Sequence, residues 1–392
     1  MNPDLIAALI FIFLICIFLW RKRAHVQIQK LIFPILYFVM YKSKLGLSTM
    51  NALASRFRKF SKVFGWLGVA AGFIGMVFIC HFLISNTILL FTRPEAAPGV
   101  QPVLPFEMKG VFFVPFLYWI ISIFIVAAVH EFCHGWVARA HNIPLKSSGF
   151  AFLSLIFPII PAAFVEPDER KLNKRPKNQQ LSVFAAGPFS NIIFAALMFL
   201  LFMFVVSPGL AAIFEHSGIT IVSVAEASPA AIAGIEPGTQ IIGVNKIPVS
   251  TVSNFTDVLN QAKPGELFVL QTTEDLIPVE LGASPQNSSQ AWLGIYAKQS
   301  VQVKQSFAER YGVSFAGFLR WLGGLVYWLL LLSLGIGLFN LLPIGPLDGG
   351  RMLQQVLFKI FKKKRRAVHV WALISLFFTV LVFANLIAGF IK

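Results

Sequence analysis

Residues 119 to 141 read WIISIFIVAAVHEFCHGWVARAH, an apolar run that carries His130, Glu131 and His134 within five positions. On a helix, residues four apart lie on one face, so the two imidazoles can reach a single ion. Zinc accepts imidazole nitrogen, and in catalytic sites it takes three protein ligands and leaves the fourth position to water. Glu131 stands beside the first histidine, where a carboxylate can take a proton from that water, and H-E-x-x-H is a spacing in which these roles occur together. The setting adds weight. An ionisable side chain at mid-membrane costs roughly 2.5 to 3.5 kcal/mol, and a divalent cation compensates three such groups at once. The plainer alternative is that the imidazoles bond to neighbouring helices while Glu131 stays protonated.

Two histidines do not complete a zinc site, so a third ligand must come from elsewhere in the apolar chain. Asp348 stands in NLLPIGPLDGG, residues 340 to 350. Pro343 and Pro346 remove amide donors and break a helix, Gly349 and Gly350 permit close backbone approach, and a carboxylate at such a break is costly unless paired. The same aspartate also suits the N-cap of a helix over 350–361. His141, seven residues beyond His134, is a rival ligand, although its place before Pro144 fits a helix end.

The elements that must position these residues are membrane spans. Of 392 residues 57% are hydrophobic, only 13% are charged and 41 are phenylalanine, more apolar surface than a soluble globule can hide. Stretches near the roughly 20 residues needed to cross a bilayer occur at about 4–20, 64–92, 111–135, 181–206, 313–341 and 368–391. The expected fold is a polytopic α-helical membrane protein with about six transmembrane helices. LIFPILYFVMY at 31–41 is too short to cross and contains Pro34, which predicts a re-entrant or interfacial piece.

The net charge of +16 raises the question of nucleic acid, and its distribution answers it. Residues 21–63 hold ten Lys or Arg and no acid, residues 139–180 hold seven, and residues 351–366 hold seven more, together 24 of the 33 basic residues. Six alternating spans that start with the N-terminus outside put all three segments on one face, the pattern of a cytoplasmic side. The implied partner is therefore the anionic lipid bilayer and not nucleic acid. Residues 207–312, with five basic and nine acidic residues, fall outside. The first span has its basic cluster, Arg21, Lys22 and Arg23, after it, as in a retained anchor. Cys16, Cys80 and Cys133 all lie in apolar spans and imply no disulfide framework.

Within this plan, residues 1–63 form an N-terminal anchor and a basic segment in which Leu47, Met50, Leu53, Phe57 and Phe60 recur at helical steps. That stripe suits a helix in the headgroup plane or one packed on the protein. The membrane core runs over 64–206 and 313–392. The loop holding Pro94, Pro98, Pro102 and Pro105 should be irregular or edge strand. Between the H-E-x-x-H helix and the next span, residues 146–165 must return to the side they left, which predicts a membrane-associated β-hairpin; bare backbone at that depth is tolerated only where it lines a cavity. Residues 216–300 change to short apolar runs between turn residues and predict an inserted, β-rich soluble domain.

HEFCHG together with Asn340, Pro343, Leu347, Asp348 and Gly349 resembles the paired signature of the site-2 protease family of intramembrane zinc metalloproteases, H-E-x-x-H and N-x-x-P-x-x-x-L-D-G. The resemblance extends to Gly187, Pro188 and Asn191 in AAGPFSN, and SPAAIAGIEPGTQIIGVN (228–245) is similar to the core of a PDZ domain. It covers roughly residues 111–350; the first 110 match less clearly, though their basic and proline-rich character is similar to archaeal members. It implies one Zn2+ per chain held by His130, His134 and Asp348, Glu131 as catalytic base, and Asn340 and Asn191 holding substrate backbone or an oxyanion. It also implies membrane-protein substrates with one or few spans, a prokaryotic cell membrane, and an extracytoplasmic PDZ-like domain that binds peptide or filters by size. Because a transmembrane helix hides its peptide bonds, the substrate must unwind, and the hairpin could receive it as an added strand near Gly149 and Phe152.

Two other function classes compete. A metal transporter or channel also carries polar groups at mid-membrane, but the chain shows no paired inverted halves. A non-catalytic scaffold that uses the PDZ-like domain would have no need of Glu131.

Overall fold

A computed structural model of the chain describes residues 3–32, 36–93, 96–154 and 158–391, so Pro34 and Pro94 lie outside the described residues. In chain order come α1 (Pro3–Arg21), β1 (Val26–Ile32), β2 (Leu36–Ser43), α2 (Leu47–Arg56), α3 (Arg58–Thr92), the short β3 (Val103–Leu104) and β4 (Phe112–Phe113), α4 (Phe116–Ala140), β5 (Leu145–Ser154), β6 (Pro158–Pro167), α5 (Glu169–Asn173) and α6 (Lys177–Leu201). After a π-helical turn at Phe202–Val206 follow α7 (Ser207–Ile213), β7 (Phe214–Val224), α8 (Pro229–Ile232), β8 (Gln240–Val244), β9 (Ile247–Pro248), α9 (Val252–Gln261), β10 (Leu267–Thr272), β11 (Leu276–Glu280), β12 (Gly282–Ala283), β13 (Ala291–Trp292), β14 (Ile295–Val303) and α10 (Gln305–Tyr311). The chain closes with α11 (Val313–Phe339), α12 (Asp348–Ile360) and α13 (Lys364–Ile391). Six helical segments among the described residues are long and apolar enough to cross a membrane: Asp4–Arg21, Arg58–Thr92, Phe116–Ala140, Lys177–Ile213, Val313–Phe339 and Lys364–Ile391.

The chain divides into two compact units, Met1–Phe202 with Gly324–Lys392, and Met203–Gly323. In the first, α3 lies close to α6 because one of its faces carries only glycine at Gly65, Gly68, Gly72 and Gly75, all buried. Such small-residue stripes let helix backbones approach. A Cβ at Gly68 would lie 3.3 Å from the Ala185 carbonyl oxygen, and one at Gly72 would lie 2.8 Å from Met352 Cε of α12.

The described residues of the segment 31–41 belong to strands β1 and β2, and these join the hairpin expected at 146–165 in one sheet. β1 and β2 pair with each other, and β2 pairs with β5, giving a four-stranded antiparallel sheet in the order β1-β2-β5-β6. LYFVMYKS in β2 is rich in aromatic and branched residues that fit a pleated surface, so a strand was legible there once length was not read against a membrane span. Gly149 pairs with Lys42 on one side and Phe164 on the other. The amphipathic stretch after β2 is also not one helix: it breaks at Phe57 into α2 and α3. Met50 of α2 is only 3% exposed, and a Cβ on Gly135 of α4 would lie 2.6 Å from its sulfur, so α2 packs on the protein.

The second unit is a sheet in the order β11-β10-β8-β7-β14, with β9 alongside β8. Alternate residues of β7 and β10, Ile219 and Ile221 and then Phe268 and Leu270, face one buried core with Ile241 and Val244 of β8, the period-two pattern of strands with a single apolar face. Helix α9 was not foreseen; its start was legible in Thr251, whose hydroxyl caps the Asn254 amide at 3.1 Å.

Candidate metal centre

Helix α4 presents His130 and His134 on one face, and the turn between α11 and α12 brings Asp348 to them. The ligating atoms of these three residues all lie within 4.8 Å of one another. Asp348 Oδ2 is 3.0 Å from His130 Nε2 and 3.2 Å from His134 Nε2, and the two Nε2 atoms are 3.1 Å apart. The aspartate is the first residue of α12, with Leu347 as the N-cap, so its carboxylate serves the imidazoles and not the helix end.

The donor set suits a metal. His134 Nδ1 lies 2.7 Å from the Val183 carbonyl oxygen; a carbonyl only accepts, so Nδ1 carries the hydrogen and Nε2 turns a lone pair toward Asp348. With both imidazoles in the tautomer that has Nε2 bare, lone pairs would meet the carboxylate at about 3 Å and repel, and a cation among them would convert the repulsion to attraction. Ligands at 2.0–2.1 Å around a tetrahedral zinc stand roughly 3.3 Å apart, close to the spacings here. Gly187 of α6 leaves the needed room, since a Cβ at that position would strike His134 Nε2. Pro188 follows inside the same helix.

The turn that carries Asp348 is held from two sides. The Gly349 amide donates to the Asn340 carbonyl at 2.8 Å, Gly345 N donates to Ser375 Oγ at 2.5 Å, and Trp371 Nε1 donates to the Gly350 carbonyl at 2.8 Å, both of the latter partners lying on α13. A side chain at Gly349 or Gly350 would strike the carbonyls of Leu341 or Ile344, which accounts for the glycine pair.

Glu131 lines a cavity of about 260 Å³ together with His130, His134, Asn340, Asp348 and Arg351. Its Oε2 accepts the Val165 amide hydrogen of β6 at 3.0 Å. Val165 N–H therefore points away from β5, and the alternation of an antiparallel ladder turns the backbone of Ala163 and Pro161 the same way. A proline without N–H is at home on such an edge.

The remaining expected site residues are placed differently from one another. Asn340 lines the cavity, with its Nδ2 donating to the Ile336 carbonyl at 3.0 Å. Asn191 is fully buried behind His130, 3.2 Å from Nδ1 and on the far side of the ring from Asp348, so it is not open to substrate. Gly149 and Phe152 lie in β5, which is paired on both edges, so no strand can add to them; the edge strands are β1 and β6, and of these β6 is the one that reaches Glu131. The Phe152 side chain helps line a separate apolar cavity of about 340 Å³ with Phe11, Ile15, Ile120, Phe124 and Pro161.

His141 does not join the cluster. It ends α4, buried, with Nε2 3.2 Å from Ser182 Oγ. Burial, followed by the nearby Lys62, Arg175 and Arg58, pushes its pKa down to about 4. At the foot of the sheet, hydrogen bonds from Ser147 and Lys42 hold the Glu166 carboxyl below its usual range. Val165, Val183, Gly187, Trp371 and Ser375 had no signal as site residues in their own right, although Gly187 stood in a quoted motif.

The sequence profile of peptidase family M50 matches residues 118–382. An uncharacterized protein of Methanocaldococcus jannaschii is 24% identical over 314 residues, 80% of this chain and 75% of that protein. The membrane-bound transcription factor site-2 protease homolog of Arabidopsis thaliana is 27% identical over 212 residues, 53% of this chain and 39% of the plant protein. The zinc metalloprotease RasP of Shouchella clausii is 26% identical over 249 residues, 50% of this chain and 57% of that protein. Among solved structures, the PDZ domain of an SdrC-like protein of Listeria monocytogenes aligns at 16% identity with 24% of this chain and 93% of that domain, at a TM-score of 0.19. With the matched region spanning both H-E-x-x-H and the Asp348 turn, the chain belongs to peptidase family M50, the site-2 protease family of metallopeptidases.

Proposed function

We propose that this chain is an intramembrane zinc endopeptidase that hydrolyses peptide bonds in or near the transmembrane segments of membrane-protein substrates. The observation that carries the reading is the meeting of His130, His134 and Asp348, from two separated helices, beside a glutamate-lined cavity. His130 Nε2, His134 Nε2 and Asp348 Oδ2 would hold one Zn2+. When bound, zinc supplies a Lewis acid for the scissile carbonyl and brings the pKa of water near 7. Glu131 takes the proton from the attacking water and returns it to the departing amine, and Val165 N–H holds its carboxylate at the cavity until substrate arrives. Asn340, on the cavity wall, is placed to hold substrate backbone or the developing oxyanion once it leaves the Ile336 carbonyl.

The substrate strand pairs with the outward backbone of β6 in place of β5. Reaching Val165, its carbonyl takes over the amide that Glu131 now holds and frees the base beside the scissile bond. The six apolar helices alternate across the cell membrane of a prokaryote with the basic loops cytoplasmic. Residues 216–300 lie outside as a PDZ-like domain that meets the substrate before cleavage.

The test uses purified chain in lipid vesicles with a single-pass substrate. Cleavage appears with the wild type and stops with a chelator. Glu131→Gln retains zinc and loses cleavage by the 10²- to 10⁴-fold typical of a general base. Zinc flux across the vesicles with no peptide product would instead establish a transporter.

A further inference from the structure

We infer that Asn191 is a positioning residue of the metal centre: its side-chain carbonyl accepts the Nδ1 hydrogen of His130 and so fixes the tautomer whose Nε2 is free to ligate. The inference rests on the zinc reading above. It replaces the oxyanion role that the sequence motif implied for this residue.

The geometry follows from how α6 lies along α4. His134 meets Val183 and His130 meets Asn191, the later residue of α4 with the earlier residue of α6, so the two helices run antiparallel at the site. Each metal-side imidazole is thereby backed at Nδ1 by one group of α6. For His134 that group is a main-chain carbonyl, which fixes the tautomer without ambiguity. For His130 it is the amide of Asn191, 0% exposed, whose own main-chain carbonyl accepts Ser333 Oγ–H at 2.8 Å and whose Cβ would sit 3.0 Å from one added at Gly337. The residue is pinned; only its amide can turn.

The side-chain amide nitrogen stands toward Nδ1 at 3.2 Å, and the oxygen has no partner among the described residues. A donor facing Nδ1 makes that atom the acceptor, and in a neutral imidazole the hydrogen then sits on Nε2, where it blocks ligation. Half a turn about the last bond exchanges nitrogen and oxygen in almost the same positions. Either orientation leaves one amide atom unpaired, so hydrogen bonding of the amide does not choose between them. Ligation does: with Oδ1 toward His130, Nδ1 carries the hydrogen and Nε2 offers its lone pair, matching His134. Outer partners of this kind are worth 10- to 100-fold in metal affinity.

The experiment measures zinc affinity by chelator competition on the full-length protein in detergent, for wild type, Asn191→Leu and Asn191→Asp. Leucine has similar volume and no acceptor, so its affinity should fall 10- to 100-fold. Aspartate presents only acceptors, so its affinity should stay within about threefold of wild type or rise, with cleavage retained at saturating zinc. Unchanged affinity in the leucine variant overturns the inference, as does a loss in the aspartate variant as deep as that in leucine. If the leucine variant fails to fold, the aspartate variant decides alone: affinity within about threefold of wild type supports the inference, and a loss of about tenfold or more overturns it. A wild type that binds no zinc at all would refute the metal reading itself, which separates the two failures.

Discussion

At Glu131 the carboxylate is anchored by a main-chain amide, Val165 N–H at 3.0 Å, and this bond can be removed without touching the metal ligands. Because that amide faces away from β5, Val165→Pro keeps the ladder of the sheet intact. A hydrogen bond to a charged group is worth about 1.5–3 kcal/mol, so cleavage should fall by at least about tenfold while zinc content holds; wild-type cleavage would show that the amide neither orients the base nor receives substrate. His141 offers a pH test at the end of α4. Its imidazole protonates near 6.5 when free and at about 4 in the fold, so between those values the unfolded chain binds more protons. Its contribution to stability is therefore complete above about 6.5 and is lost as pH falls toward 4. Thermal melts from pH 7 to 4 should show a shallower loss for His141→Gln than for wild type; parallel curves would mean that the histidine is not buried neutral. Of the residues with chemistry, His130, Glu131 and His134 were legible from H-E-x-x-H in an apolar run, whereas Asp348 stood beside the rival His141 and an N-cap role until the family resemblance singled it out. The groups that hold them were not, because Val165 and Val183 act through main-chain atoms that no side chain announces.

Among elements, α6 decides how near α4 and the Asp348 turn can stand. Gly187 faces both imidazoles, and a single methyl there meets His134 Nε2. Gly187→Ala should lower zinc well below one per chain in metal analysis, whereas a full complement would mean that the helices have freedom to part. The six long apolar helices were readable from length and apolarity alone, since α1, α3, α4, α6, α11 and α13 each carry a sufficient run. The four-stranded sheet was not, because β1 and β2 are separated in sequence from β5 by more than a hundred residues and nothing in LYFVMYKS names its partner. Likewise the Pro-rich turn before Asp348 was visible as a helix break, but the hold of Trp371 and Ser375 on it is a tertiary contact from the last helix.

For the whole molecule, the chain divides into a helical unit and the β-rich unit of 203–323, and the proposed function assigns chemistry to the first and substrate selection to the insertion at 216–300. Deleting residues 216–300 should leave cleavage of a short-tailed substrate within a few-fold of wild type while admitting one with a bulky outer domain. Equal rejection of the bulky substrate by both forms would leave the unit no filtering role. The apolar helices and the β-rich insertion were evident from the change in residue pattern near 216, whereas the meeting of His130, His134 and Asp348 from α4 and α12 depends on helix packing that a linear motif does not contain. The central claim is that one divalent ion is held by His130, His134 and Asp348, and its most direct measurement is zinc per chain in purified, cleavage-competent protein, with and without Asp348→Ala. The account predicts one zinc in the wild type and a small fraction of one in the variant; an active wild type free of zinc, or a variant that retains the full complement, would contradict it.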